Sequence, residues 1–420
     1  MQAGNVVSLR DMKRINQAIF LHMIFRKREI SRTELAILTG LGPATVSVLT
    51  KELLDMGMIV ETRERKPASC RENVQLQINP YGGYIGAVHV TAETITYTLF
   101  NMQLEKIAEI TVENTEESNL QQLFEKVVRH IDILLDKEWE AREKLIGIAV
   151  SIPREFNHLE QNVLFDAGIP ADGMKLDAAL SFRYGKPVVI EPVIHSRAVA
   201  EYYLGAAKNV EEFIFMDISE EFEIAVVQKG KVIKMPLWFN NDLKHMAINR
   251  EGPKCTCGKR GCLEVLLTTE AIIEQVKKSV AEKKATLAYL RSGGDSNKIN
   301  LEMINRCANE GDLLIQDIIT KMAEALCIGI HNIMALIHVP NIVIAGKVGQ
   351  IHLFFRALSE AWANYTTFQN KRAHIHITFL QQDEVNLGNG AIVLGNYFEN
   401  YFIKDQSMLY EYAQRRYNYK

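Results

Sequence analysis

The stretch CTCGKRGCLE, residues 255–264, holds three of the six cysteines of the 420-residue chain. Cys255, Cys257 and Cys262 stand two and five residues apart, with Gly258 and Gly261 between them to let the backbone fold tightly. Three thiolates need a fourth ligand to close a tetrahedral zinc site, and His245 lies ten residues before Cys255. Buried core thiols or a redox pair are the other readings of such spacing. The basic neighbours Lys254, Lys259 and Arg260 argue against a plain core position. Four protein ligands leave no open coordination position, so Zn²⁺ here is expected to be structural. Its effect is to fix His245 and Glu264 in space.

The elements that must carry this loop follow from length and pattern. A chain of 420 residues exceeds one ordinary core, so two or three domains are expected. The 47% hydrophobic and 24% charged shares are those of a globular protein. No apolar run is long enough to span a membrane, and the N-terminus lacks a signal-peptide core. Six cysteines over this length do not make a secreted disulfide scaffold. The expectation is a cytoplasmic, reduced protein. The net charge of −3 conceals an asymmetry: residues 1–79 hold 12 Lys and Arg against 8 Asp and Glu. A basic end on an acidic body points to a polyanion as partner.

Residues 11–25 place Ile15, Ile19, Phe20, Met23 and Ile24 on one helical stripe. Ser31 and Glu34 form a capping box for a second helix, which Gly40 ends. Pro43 opens a third helix whose buried stripe is Val46, Leu49, Leu53 and Leu54, and Gly57 stops it. Two short strands then flank a basic tip with Arg63, Arg65, Lys66 and Arg71. This order predicts a winged helix-turn-helix over residues 1–79 that binds double-stranded DNA. The third helix would present Ala44, Thr45, Ser47, Val48 and Lys51 to the major groove, with Ser31 and Arg32 nearby. The wing cations would meet phosphates or the minor groove. A small packing domain with a solvated basic loop is the alternative.

From Tyr81 short apolar strands alternate with helices: GGYIGAVHVTAETITYTLFNM as two strands, then LIGIAVSIP, PVVIEP, FIFMDI and NIVIAG. LQQLFEKVVRHIDILLDK is an amphipathic helix, and the longest helix is expected between Asp312 and Leu336. The mixture indicates an α/β body of two lobes over residues 80–420. RSGGDSNK, residues 291–298, is read as its flexible surface loop.

The pattern His-x9-Cys-x-Cys-Gly-x2-Gly-Cys-x-Glu, joined to this N-terminal end, resembles the ROK family of bacterial sugar kinases and sugar-responsive repressors. The resemblance covers nearly the whole chain. It implies a two-lobed, actin-like and sugar-kinase-like body, with lobe one at about 80–195 plus the C-terminal helix region and lobe two at about 196–395. It supports His245 as the fourth zinc ligand.

The resemblance also implies three kinase features that this sequence lacks. The phosphate-gripping DxGGT-like turn reads HVTAETI, with His89, Thr91 and Ala92 in place of the Asp and glycines. The second glycine-rich turn reads SEEFEIA. The Asn-Asp pair bearing the general base, eight residues before Glu201, is Pro192-Val193, and valine takes no proton. No catalytic residue and no enzyme activity are therefore expected. Of the implied sugar ligands, Glu264 and His245 remain. Asp242 stands for the Glu of the ExGH motif and Lys244 for its Gly, while Pro153-Arg154 replaces a Pro-Gly turn.

The reading is a regulator, a repressor of carbohydrate genes, acting as a homodimer or higher homo-oligomer on a palindromic operator. A sugar or sugar phosphate would bind between the lobes at Glu264, His245 and Asp242, with Arg154, Lys244 or His195 available to a phosphate. The alternatives are a regulator with a vestigial sugar pocket controlled by a protein partner, and an ATP-dependent sugar kinase. The tyrosine-rich tail from Tyr397 to Tyr419 is either an interface helix or an exposed end.

Overall fold

The computed structural model describes residues 9–64, 73–114, 120–152, 175–208, 210–233, 242–337, 339–365, 374–378 and 384–402. The chain forms two compact units: Met1–Ala200 with Asp383–Lys420, and Glu201–Gln382.

The first unit opens with α1 (Leu9–Lys27), α2 (Arg32–Thr39) and α3 (Pro43–Asp55), then the antiparallel pair β1 (Ile59–Glu64) and β2 (Asn73–Ile78). The capping box of α2 is present. Ser31 Oγ accepts from the Glu34 N–H at 3.2 Å, and Glu34 Oε2 accepts from the Ser31 N–H at 3.0 Å. Gly40 ends α2 with φ of 64°, a left-handed turn that a Cβ would disfavour. The chain changes direction by 119° between α2 and α3, close to the crossing of helix-turn-helix motifs. Val46, Leu49 and Leu53 are buried, and Ile30 bridges to Leu76 of β2. The expected tip residues Arg65, Lys66 and Arg71, and the side chain of Arg63, lie outside the described residues.

Five strands follow in the first unit: β3 (Tyr84–Val90), β4 (Thr94–Asn101), β5 (Lys106–Glu113), then β6 (Leu145–Ile152) and β7 (Val188–Pro192). Their order is β5-β4-β3-β6-β7, with β3, β6 and β7 parallel. Helix α4 (Leu120–Leu135) lies between β5 and β6, α5 (Leu176–Tyr184) before β7, and α6 (Val193–Leu204) after it. Strand β6 is buried along its whole length, as its unbroken apolar run requires. Val88, Tyr97, Leu99, Val127, Ile131 and Ile148 build this core.

The second unit repeats that order with β8 (Glu212–Ile218), β9 (Phe222–Gln228), β10 (Lys231–Val232), β11 (Asn341–Ala345) and β12 (His374–Ile377), arranged β10-β9-β8-β11-β12. Its helices are α7 (Leu263–Leu267), α8 (Thr269–Ala281), α9 (Leu287–Ser292), α10 (Leu301–Asn309), α11 (Leu313–Leu336) and α12 (His352–Tyr365). Helix α11 is the longest among the described residues at 24 residues, capped by Asp312, whose Oδ1 accepts from the Leu314 and Ile315 N–H groups. Met216, Ile224, Leu263, Ile319, Met322 and Ile344 lie in its core.

The RSGGDSNK stretch is a largely exposed turn, as a surface loop should be. It is a closed turn in which Gly294 N–H donates to Tyr289 O at 3.0 Å and Asp295 Oδ1 caps a 3-10 turn at 296–298. The boundary between the units falls inside α6 and after Gln382. The last described helix, α13 (Val385–Phe402), returns to the first unit and packs on β3, β6 and α1. Helix α1 is thus covered on two sides. That is why Ala18 and Leu21 are buried beside Ile15, Phe20 and Ile24, while Ile19 and Met23 are half-buried.

Candidate functional site

The cysteine loop is a knuckle closed by its own backbone. Isolated bridges join Ala247 to Cys262 and Lys254 to Arg260. Within it the Cys255 N–H donates to Lys259 O at 2.8 Å, and the Gly261 N–H to Pro253 O at 2.8 Å. Gly261 has φ of 60°, and a Cβ there would sit 1.7 Å from Asn249 O, so only glycine fits. The fold brings all four expected ligands together: the donor atoms of His245, Cys255, Cys257 and Cys262 lie within 4.8 Å of one another. His245 Nδ1 is 3.4 Å from Cys255 Sγ, and Cys257 Sγ is 3.6 Å from Cys262 Sγ. A tetrahedral zinc with Zn–S near 2.3 Å separates its ligand atoms by about 3.5–3.8 Å, so the spacing and the donor set are compatible with that ion. Burial pushes the Cys262 thiol up to about 12, while the Lys259 backbone N–H holds Cys257 below the ordinary thiol range. Thiols this close disfavour joint ionisation unless a cation lies among them.

Glu264 leaves the knuckle in the first turn of α7, two residues after Cys262. The Leu263 N–H donates to Met246 O at 3.0 Å, which ties the two arms of the loop together just there. Opposite, on the helical turn 242–244, Lys244 Nζ lies 3.3 Å from Glu264 Oε1 and 3.4 Å from Glu221 Oε2. Glu264 Oε2 is buried, with no well-formed hydrogen bond among the described residues, and the Phe222 backbone N–H lies near enough to the carboxyl to favour its charged form. Burial pushes the Glu264 carboxyl above its ordinary range, and the Lys244 ammonium pulls it back. Asp242, the expected ligand on this turn, is exposed, and Lys244 is the residue of the turn that reaches Glu264. The pairing with Glu221 is not visible in local spacing, because Glu221 arrives from the β8–β9 turn.

Each altered kinase position that is described is occupied by internal bonding. In the β3–β4 turn, the Thr91 N–H donates to Thr94 O at 2.8 Å and the Thr94 N–H to Thr91 Oγ1 at 2.9 Å. Both amides are spent on the turn, and Glu93 stands exposed beside them. In the β8–β9 turn, Ser219 Oγ donates to Asp217 Oδ1 at 2.8 Å and accepts from the Lys347 N–H at 3.1 Å. Lys347 Nζ pairs with Glu220. Val193 begins α6. Glu201 Oε2 accepts the Ala206 N–H at 2.8 Å, and His195 Nδ1 lies 2.7 Å from Glu191 Oε2. Pro153 and Arg154 lie outside the described residues.

At the N-terminal end, Ala44, Thr45, Ser47, Val48 and Lys51 of α3 are all exposed on one face. Two expected DNA contacts sit differently. The Ser31 hydroxyl is taken by the capping box, donating to Glu34 Oε2 at 2.9 Å. Arg32 donates to Thr50 Oγ1 at 3.0 Å and to Glu61 Oε1 at 2.6 Å. That guanidinium ties α2 to α3 and β1, because those acceptors face it across the motif.

The ROK family model matches residues 85–396. The xylose repressor of Caldicellulosiruptor bescii is 25% identical over 392 residues, 92% of this chain and 96% of that protein. The DNA-binding transcriptional dual regulator NagC of Escherichia coli is 23% identical over 386 residues, 91% of this chain and 92% of that protein. Among solved structures, a ROK family transcriptional regulator described as a homolog of the E. coli MLC protein covers 96% of this chain and 100% of its own, at 21% identity and a TM-score of 0.72. The ROK hexokinase of Thermus thermophilus covers 74% of this chain and 98% of its own, at 19% identity and a TM-score of 0.57. These likenesses carry the fold, and the family model spans most of the sequence. The chain belongs to the ROK family.

Proposed function

We infer that this chain is a sugar-responsive transcriptional repressor of carbohydrate genes, built on a kinase-like body that does not transfer phosphate. The observation that carries the reading is the exposed face of α3, held by a capped helix-turn-helix and joined to a ROK body whose phosphate turns are closed. Small side chains on that face let the helix backbone approach base edges, and Lys51 can meet a phosphate. The repressor names of the sequence relatives support the same function. Loss of the general base at Val193 and the self-bonded turns support a non-enzyme.

In this reading His245, Cys255, Cys257 and Cys262 hold one structural Zn²⁺, which would leave no position open for chemistry. The ion would lock the arms that carry Lys244 and Glu264. Glu264, with His245 and Asp242 on the facing arm, belongs to the effector site. The protein works as a homodimer in the cytoplasm, where its two α3 helices reach half-sites about one DNA turn apart. The wing residues Arg63, Arg65, Lys66 and Arg71 add phosphate contacts.

Selection of bound DNA from a random library, followed by footprinting, tests the reading. A palindromic protected site is expected. Thr45→Ala should cost about 1–3 kcal/mol if Thr45 reads a base, and Lys51→Ala should weaken binding at all sites and reduce the salt dependence by about one ion. Absence of any protected site, with both variants behaving like the wild type, would sink it.

A further inference from the structure

The turn between β4 and β5, residues 102–105, reaches the N-terminal motif at two points. Arg28 Nη1 donates to Gln103 O at 2.5 Å, and Gln103 Nε2 donates to Ile78 O at 2.6 Å. The first bond holds the end of α1. The second holds the end of β2, where the next residue, Asn79, donates its side-chain amide to Gly57 O at 2.7 Å, just past the end of α3. The turn itself is braced. Buried Asn101 accepts from the Gln103 and Glu105 N–H groups at 2.9 and 3.0 Å and donates to Glu105 Oε2 at 2.7 Å. Leu104 is buried, and its Cδ2 would lie 2.7 Å from a Cβ at Gly390 of α13. Arg28 has φ of 67°, a left-handed conformation that favours glycine at a helix end. An arginine there costs backbone energy and supplies the bond to Gln103. Close packing does not replace these bonds: Ile24, Phe25, Gln77 and Ile78 line a cleft of about 200 Å³ beside them.

We propose that Arg28 and Gln103 are positioning residues for DNA recognition: they fix the stance of α3 on the first-unit sheet and so set the half-site spacing that a dimer accepts. The proposal rests on the repressor reading above. Helix α3 touches the DNA, and neither Arg28 nor Gln103 needs to. A palindrome of the right spacing is met with both bonds intact in each protomer. A longer or shorter spacing forces α3 to move relative to the sheet, and the bonds must break before it does. Each net hydrogen bond lost in that way lowers affinity for the wrong spacing by about fivefold. Removing the bonds beforehand removes that penalty and leaves the bases read by α3 unchanged.

Binding of the full chain to palindromes that share one selected half-site and differ in spacer by single base pairs tests this. The wild type should favour one spacer by about tenfold or more over sites two base pairs longer or shorter, a change that turns one half-site by about a fifth of a helical repeat. Glycine suits the left-handed backbone, so Arg28→Gly keeps the helix end and loses the side chain. Gln103→Ala keeps the carbonyl that Arg28 uses and loses the bond to Ile78. Each variant should cut the spacer preference by about fivefold, with the selected half-site sequence unchanged. A purely structural role would lower thermal stability and leave the spacer preference as it was. An unchanged spacer profile in either variant, once thermal unfolding shows it folded, or an equal loss of affinity at every spacer, would overturn the proposal. So would a wild type that selects half-sites without preferring a spacer. A wild type that selects no palindromic DNA sinks the repressor reading and this proposal with it.

Discussion

Cys257 is the exposed corner of the four-residue cluster, whereas Cys255 and Cys262 are buried. Hydrogen bonds from the knuckle backbone already fix the loop, so an ion placed there completes a preformed shape. Binding energy for a structural zinc becomes folding energy when the site is lost on unfolding. Purified protein should therefore contain close to one zinc per chain by mass spectrometry. Cys257→Ser should lose it and unfold at lower temperature, because a neutral hydroxyl is a poor substitute for a thiolate. Cys307→Ala, at a buried thiol in α10, should keep its zinc. Undiminished zinc in the Cys257 variant would remove the ligand assignment. Gly261 belongs to the same scale: a side chain there meets Asn249 O, so Gly261→Ala should also release the metal.

At the scale of elements, α2 is the vulnerable piece. It has eight residues, too few to be stable alone in water. Its support comes from the reciprocal Ser31–Glu34 bonds and from Arg32 reaching Thr50 and Glu61. Ser31→Ala should cost about 1 kcal/mol of local stability. Faster hydrogen exchange over residues 32–55 and weaker DNA binding are the expected signs, and unchanged exchange would show that the cap does not hold the motif. These features were legible because caps, turn glycines and helical stripes are local. The clustering of His245 with the three knuckle cysteines was legible for the same reason. What stayed hidden depends on tertiary neighbours. β5 is an edge strand whose residues are exposed or half-buried throughout, so it has no apolar run to mark it. Arg32, expected among the DNA contacts, pairs with Glu61 of β1, and Lys244, one of three side chains expected to be available to a phosphate, meets Glu221 from another turn.

At the scale of the molecule, the two units share one strand order, although the sequence shows it only as scattered apolar strands. The chain leaves the first unit inside α6 and returns to it after Gln382, so its first and last described helices meet. Phe398 of α13 is fully buried and packs edge-on to His22 at 5.5 Å and to Phe25 at 6.2 Å, both on α1. A second anchor lies close by: Arg28 Nη1 donates to Gln103 O at 2.5 Å, and its guanidinium stands 5.4 Å over the Phe25 ring. These contacts join the N-terminal helices to the sheet of the first unit. Phe398→Ala should cost about 3–5 kcal/mol, the usual loss for a buried aromatic ring in a core. The loss should appear as a lower denaturation midpoint and as faster exchange in α1. DNA binding should weaken with it, because α3 rests on α1. Zinc content should stay near one per chain, since the cysteine knuckle lies in the other unit. A variant that unfolds like the wild type would show that the seam between the chain ends is not what holds the N-terminal helices to the body, and a loss of zinc in step with that seam would show that the units do not unfold separately.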